Sequence, residues 1–197
     1  MNKSAIVLDY NCGNILSISN AIKFVGGLVS YDMQDLDPSS ILVIPGVGYF
    51  ESAMSNIIES GYLELINSHV SYGGKVLGIC LGMQLLFDES SEARNGCCKG
   101  LELVKGRVDK LPPNLDQNLS INLGWKEVKD IHNYRKSMYF VHQYYCQPED
   151  TSIVTHFCNW NGLQFAAGLQ HQNIFAFQFH PEKSSEVGLN LLRDVIN

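Results

Sequence analysis

The sequence predicts an α/β fold, with a mainly parallel central sheet in its first half and extra antiparallel strands in its second. Two observations carry this. Up to residue 100, short apolar runs alternate with segments of helical period, the pattern of strands joined by crossover helices. Beyond Gly100, β-rich segments follow one another with only turn signals between them. The 197 residues, 45% hydrophobic and 17% charged, suffice for a full core, and no linker interrupts them, so residues 1–197 are expected to form one domain.

In chain order, SAIVLDY is a buried strand and NCGN a turn. ILSISNAIKFVG follows as a helix with Ile15, Ile18, Ile22 and Val25 along one side. LVSYDM is a second strand, DPSS a turn and ILVIPG a central strand. The stretch from Phe50 to His69 carries helical period throughout, and KVLGIC is a strand feeding a helix that starts near Leu81. The later strands are LELVKGRVDKL, GWKEVKDI, SMYFVHQYYCQ, SIVTHFC, LQFAAGLQ and IFAFQFH. Asn161-Gly162 fits a hairpin turn because both residues tolerate positive φ, and SSEVGLNLLRDVI closes the chain as an amphipathic helix.

A formal charge of −6 argues against nucleic-acid binding, which needs a concentrated cationic surface. Lys105, Arg107 and Lys110, the nearest thing to a basic cluster, have the spacing of a solvated strand face. No run approaches the roughly 18 apolar residues of a membrane span and the first residues do not resemble a signal peptide, so a cytoplasmic location is expected. The six cysteines are irregularly spaced and expected to be free thiols. Adjacent Cys97 and Cys98 lack accompanying C-x-x-C or H-x-x-x-H ligands, so no metal and no cofactor are expected. His69, His132, His156 and His171 carry no signal.

Chemistry concentrates at Gly78-Ile79-Cys80-Leu81-Gly82. This G-x-C-x-G pattern is the thiol version of a strand–turn–helix elbow, expected to lift the sulfur out of the core and set it before a helix N-terminus. Taken alone, it equally describes a small cysteine buried where a strand meets a helix. The second motif, Gln-Phe-His-Pro-Glu at 178–182, weighs against that. In an extended chain His180 and Glu182 point to one side, supplying a base and a carboxylate to orient it, with Pro181 helping to hold the chain extended. Pro45-Gly46-Val47-Gly48 ends another strand, where the Val47 amide, paired with that of Leu81, would form an oxyanion hole.

GICLGMQLLF, PGVGYF, YFVHQYY and QFHPEKS, in that order, resemble the class I (triad) glutamine amidotransferases, most closely the glutaminase subunits of imidazole glycerol phosphate synthases. The resemblance runs from DYNCGN to LNLLRDVI. It implies a flavodoxin-like, three-layer fold and a glutaminase with Cys80, His180 and Glu182 as its catalytic triad. It places Val47, Gly48 and Leu81 at the oxyanion, and Gln84, Gln143 and Tyr144 on substrate glutamine. It further implies a heterodimer with a (β/α)8-barrel synthase, fed with ammonia through a closed channel, with Asn14, Trp125, Tyr139 and Lys183 at the interface. Activity would stay low until the partner binds its acceptor and the Val47–Gly48 segment reorients.

Three places depart from the pattern. Ile121-Asn122-Leu123-Gly124-Trp125-Lys126 stands for the usual Pro-His-x-Gly-Trp-Asn, Gln143 for Ser or Thr, and Cys158-Asn159-Trp160-Asn161-Gly162 for a short Tyr-Gly turn. They bear on the acceptor more than on the chemistry. Histidine biosynthesis is therefore weighed against ammonia supply to a sugar amidotransferase of surface-glycan biosynthesis. Two other classes are a catalytically silent interaction module and a stand-alone cysteine hydrolase or peptidase. An intact Cys80, His180 and Glu182 opposes the first, and Gln84 with the HPEKS ending opposes the second.

Overall fold

The computed structural model describes residues 4–113 and 120–197. Its strands are β1 (Ser4–Val7), β2 (Leu28–Ser30), β3 (Ile41–Ile44), β4 (Lys75–Ile79), β5 (Phe87–Ser90), β6 (Cys98–Lys99) and β7 (Val104–Lys110). These are followed by β8 (Asn122–Asp130), β9 (Arg135–His142), β10 (Tyr144–Pro148), β11 (Val154–Trp160), β12 (Leu163–His171) and β13 (Ile174–Phe177). The helices are α1 (Ile15–Phe24), α2 (Phe50–Glu59), α3 (Tyr62–Ser71), α4 (Leu81–Leu85) and α5 (Ser185–Ile196).

A nine-stranded sheet runs in the order β2-β1-β3-β4-β13-β12-β11-β8-β9. The first five strands are parallel and the rest antiparallel; β1–β4 follow the expectation for the first half, whereas β13, from the second half, joins the parallel group instead of running antiparallel throughout. The side-chain period of two divides the core. Ile41 and Val43 of β3 pack with α1 and α5 through Ile18, Ile22 and Leu192, whereas Leu42 and Ile44 pack with α2 and α3 through Met54, Ile57 and Ile66. Helices thus cover both faces of the parallel strands. The second sheet, β10-β7-β5-β6, joins the α2–α3 side through Val104, Val108 and Cys146.

Several segments differ from expectation. The helical stretch from Phe50 breaks into two helices because Gly61 takes a left-handed conformation, φ 71°, between them. LVSYDM stays extended only to Ser30, and Met33–Asp35 forms a 3-10 turn. The helix after Cys80 lasts five residues before Phe87 enters β5. SMYFVHQYYCQ is two strands: β9 belongs to the large sheet and β10 to the small one, with Gln143 between them. Asn161 and Gly162, at φ 49° and 86°, make the expected turn between β11 and β12.

Strand β13 matters most for the site. It enters the sheet parallel to β4 with Phe177 opposite Ile79, so the residues that follow each strand emerge side by side. Two segments almost a hundred residues apart are thereby joined.

Candidate active site

Cys80 follows β4 at φ 54° and ψ −108°, a strained backbone for any residue with a Cβ. Hydrogen bonds hold it there. Its N–H donates to Phe177 O at 2.7 Å, and its carbonyl accepts from the amides of Met83 and Gln84 at 3.1 and 3.2 Å, opening α4. The flanking glycines serve close packing, since neither takes a positive φ. A Cβ on Gly82 would collide with the Ile44 carbonyl, and one on Gly78 would lie 2.9 Å from Gly82 O. Their absence lets α4 press onto β3. The sulfur is not lifted clear of the core, because Cys80 is only 4% exposed. Its thiol donates to Val141 O at 3.7 Å and accepts from Gln178 Nε2 at 3.8 Å.

His180 and Glu182 meet, by a different route from the one expected. The chain leaves the extended conformation after His180, and Pro181–Lys183 is a 3-10 turn with proline at its start, where its fixed φ is favourable. The turn brings Glu182 Oε1 to 2.8 Å from His180 Nδ1, with both side chains about 95% buried. The His180 backbone is held on both sides: its N–H donates to Tyr139 O at 2.8 Å, and its carbonyl accepts from Ser184 Oγ at 2.6 Å. Burial alone would lower the imidazole pKa, but Cys80 and Glu182 together outweigh it and raise the value to about 10. Cys80 acts on the ring without a well-directed hydrogen bond to it. Among the described residues, His180 Nε2 and Glu182 Oε2 have no hydrogen-bond partner. The ring nitrogen not engaged by the carboxylate is the one left for proton transfer.

The expected oxyanion pair is not open. Leu81 N–H donates to Gly46 O at 3.3 Å, so one of its two donors is already used. Val47 is exposed at the cleft rim, and Gly48 sits at φ 135°, a conformation that L side chains resist. Behind this segment the buried Tyr10 hydroxyl donates to Pro45 O, and Gly13 packs so closely on Gly46 that a Cβ would stand 3.2 Å from its Cα.

Cys80 opens onto a cleft of about 250 Å³, whose walls include Val47, Gly48, Leu81, Gln84, Gln143 and Tyr144, all expected from the sequence. Gln84 is 4% exposed, and its Nε2 donates to Tyr144 O at 2.8 Å and to Gln178 Oε1 at 3.3 Å. Three further residues contribute: Glu92 and Gln178, which the sequence did not single out, and His142, whose segment the resemblance assigns to substrate contact and which has no carboxylate two positions away to make it the base. Glu92 lines the cleft and accepts from Phe50 N–H at 3.0 Å, with burial raising its pKa. It lies in DESSEAR, which looks like a solvated acidic run. His142 lines the cleft too, and burial lowers its pKa to about 4. Gln178, fully buried, bridges Gln84 and Cys80. Its place two residues before His180 in QFHPE was the available signal.

Of the four residues expected at a partner face, three form one aromatic cluster. Trp125 packs edge-on against Tyr139 with ring centroids 6.0 Å apart, and Lys183 Nζ lies 5.9 Å from the Tyr139 ring centre. Asn14 is exposed and caps α1 by accepting from Ser17 N–H at 3.2 Å. With Lys183 it lines a second, small cavity that also touches Val47, His180 and Glu182. Elsewhere, Lys105 and Arg107 pair with Asp88 and Asp109 at 2.9 Å on the exposed side of β7. All six cysteines are free. Among the described residues, no group of three or more His, Cys, Asp or Glu could hold a metal, and no helix is long and apolar enough to cross a membrane.

Comparison with known proteins finds relatives over nearly the whole chain. The chain is 38% identical over 198 residues to the imidazole glycerol phosphate synthase subunit HisH of Chlorobaculum tepidum, with 95% of this chain and 96% of that one covered. It is 39% identical over 197 residues to the subunit of the same name from Aquifex aeolicus, with 96% and 94% covered. The solved structure of PurLQS from Thermotoga maritima superimposes with a TM-score of 0.73 at 18% identity, covering 100% of this chain and 99% of that one; at this identity the likeness concerns the fold. Residues 14–196 match the family model for glutamine amidotransferase class-I. The chain belongs to the class I glutamine amidotransferase family.

Proposed function

We propose that this chain hydrolyses the side-chain amide of glutamine and hands the ammonia to a synthase partner, as the glutaminase subunit of an imidazole glycerol phosphate synthase in histidine biosynthesis. The observation that carries the chemistry is the register of β13 on β4, which sets Cys80 beside His180 and its carboxylate partner Glu182. The pathway rests on relatives named as that subunit at 38–39% identity over nearly the whole chain.

In this reading, Cys80 attacks the glutamine carboxamide carbon as a thiolate, its proton already held on His180 Nε2. The C=O π electrons move onto oxygen, and the tetrahedral intermediate collapses as His180 protonates the departing nitrogen, releasing ammonia and leaving a thioester. Water, deprotonated by His180, then cleaves the thioester to glutamate and restores the thiol. Glu182 holds the ring with Nε2 towards the reaction and supports its positive charge. Glu92, a carboxylate on the cleft wall, suits the substrate's α-ammonium group.

The Gly46–Leu81 hydrogen bond supports a switched enzyme. Rotation of the Gly46–Val47 peptide would withdraw the carbonyl, free Leu81 N–H and turn Val47 N–H inward, completing an oxyanion hole. Asn14, Trp125, Tyr139 and Lys183 form the face for the partner, a (β/α)8 barrel, and the pair works in the cytoplasm. A second acceptor is favoured by one observation. Lys126, where the resemblance has asparagine, lies beside Trp125 and stacks its ammonium 5.7 Å from the Trp160 ring centre. A sugar amidotransferase partner would account for such a change.

The test is direct. A diazo-ketone analogue of glutamine labels Cys80, and Cys80→Ala abolishes glutamate release while circular dichroism stays unchanged. Glutamate release surviving in that variant removes Cys80 as nucleophile. Stimulation by a sugar amidotransferase, and none by the cyclase subunit with its nucleotide ligand, moves the chain to the second pathway.

A further inference from the structure

His142 and Asn122 are directly opposed across β8 and β9. Asn122 is fully buried and His142 nearly so. The hydrogen bonds around them assign every proton. His142 Nδ1 lies 2.8 Å from Tyr144 O, and a carbonyl oxygen only accepts, so Nδ1 carries the hydrogen. Burial keeps the ring neutral, so Nε2 is an acceptor. Its partner at 2.9 Å is therefore the Nδ2 donor of Asn122, whose Oδ1 is left without a partner among the described residues. A buried amide that satisfies the ring at the expense of its own oxygen has a directional task.

The Tyr144 carbonyl receives two donors, His142 Nδ1–H and Gln84 Nε2–H, each at 2.8 Å. Gln84 gives its other amide hydrogen to Gln178, and Gln178 donates to the Cys80 sulfur. A run of neutral hydrogen-bonding groups, passing through the Tyr144 main-chain carbonyl, thus connects β8 to the nucleophile, and His142 and Gln84 both line the cleft.

We propose that Asn122 is a positioning residue for the glutamine pocket: together with the Tyr144 carbonyl it selects the Nδ1–H tautomer of His142 and, through that ring, clamps the Tyr144 carbonyl and the Gln84 carboxamide beside Cys80. This deepens the glutaminase reading and rests on it for its kinetic consequence alone. With Asn122 removed, Nε2 is a buried acceptor without a donor, the preference for Nδ1–H rests on the Tyr144 carbonyl alone, and whatever Nε2–H form appears gives nothing to Tyr144 O. The Tyr144 carbonyl then keeps one of its two donors, and Gln84 is tied to a less firmly held acceptor. The loss falls on substrate binding more than on the chemical step, because the geometry of Cys80 and His180 depends on β4 and β13.

The experiment uses the full chain labelled with 15N-histidine, with His142 signals assigned by their absence in His142→Gln. The wild-type ring is expected to show a protonated Nδ1 and a bare Nε2 at neutral pH. In Asn122→Asp, of nearly equal volume, the carboxylate draws a proton onto Nε2 and both nitrogens become protonated. In Asn122→Leu the preference for Nδ1–H weakens so that an Nε2–H fraction becomes detectable, and KM for glutamine rises up to roughly tenfold with kcat changed less, the effect of one buried hydrogen bond. Asn122→His restores a ring N–H donor and is expected to return the tautomer and a KM within about twofold of wild type. A wild-type ring protonated on Nε2 overturns the proposal, even if Asn122→Leu does not fold. So does a tautomer unchanged in both Asn122→Asp and Asn122→Leu. Absence of glutamine hydrolysis in the partnered wild type would sink the glutaminase reading instead, and the nitrogen shifts would still decide the role of Asn122.

Discussion

The amide of Leu81 donates to the carbonyl oxygen of Gly46 at 3.3 Å, across the gap where a tetrahedral oxyanion would need that amide. The carbonyl is kept there from behind by the Tyr10 hydroxyl on Pro45 O and by the glycine contact at Gly13. Tyr10→Phe removes the hydroxyl and leaves the ring. Glutamate release without a partner is expected to rise roughly three- to tenfold, the equivalent of about 1 kcal/mol from one lost hydrogen bond. The fully partnered rate is expected to change little. A steady-state glutamate assay with and without partner reads both.

Glu182 supports the His180 imidazolium over 2.8 Å, and burial leaves that carboxylate little competition from water. Glu182→Gln keeps the shape and removes the charge. We expect kcat to fall roughly 10²- to 10⁴-fold, with KM for glutamine much less affected, as measured by initial rates over a glutamine series. Equal activity in Glu182→Gln would mean that the carboxylate plays no part in orienting the base.

His142 makes the fold acid-sensitive. Its folded pKa of about 4 lies below the ordinary histidine value of 6.5, so the unfolded chain binds the extra proton first. The stability is fully present above pH 6.5, declines as pH falls through the window to about 4, and amounts to about 3 kcal/mol at most. His156, also lowered by burial, adds a loss of the same sign. Urea unfolding from pH 7.5 to 4.5 is expected to show a shallower acid slope in His142→Gln than in wild type.

The close approach of α4 to β3 is the least tolerant packing at the site. Gly82→Ala drives a Cβ into the Ile44 carbonyl, backbone against backbone, and is expected to cost roughly 3 kcal/mol or more. Gly78→Ala meets Gly82 O at 2.9 Å and the end of the Leu86 side chain at 3.0 Å, which is milder. Denaturant midpoints should rank wild type above Gly78→Ala and that above Gly82→Ala.

The parallel strands and the amphipathic helices α1 and α5 were legible because their periods of two and 3.6 extend over whole elements. So was the presence of a thiol, an imidazole and a carboxylate in two short motifs. Where the sequence misled, a local backbone choice outweighed the period. Gly61 ended a helix whose apolar spacing continued past it, and Pro181 began a turn where an extended segment was expected. Glu182 reached His180 regardless, since a tight turn also returns the second residue to the first. The closed state of the oxyanion segment was not legible at all. It depends on which way one peptide plane faces, and Gly46-Val47-Gly48 permits either.

Gln143 lies between the last residue that β9 gives to the nine-stranded sheet and the first that β10 gives to the four-stranded one. The mouth of the cleft is therefore a seam, crossed here by the chain at one residue whose carbonyl is tied to Leu111 N–H at 2.8 Å. The same seam is fastened at Tyr144, whose carbonyl takes hydrogen bonds from His142 at the end of β9 and from Gln84 of α4, so the pocket wall is shared by both sheets and belongs to neither alone.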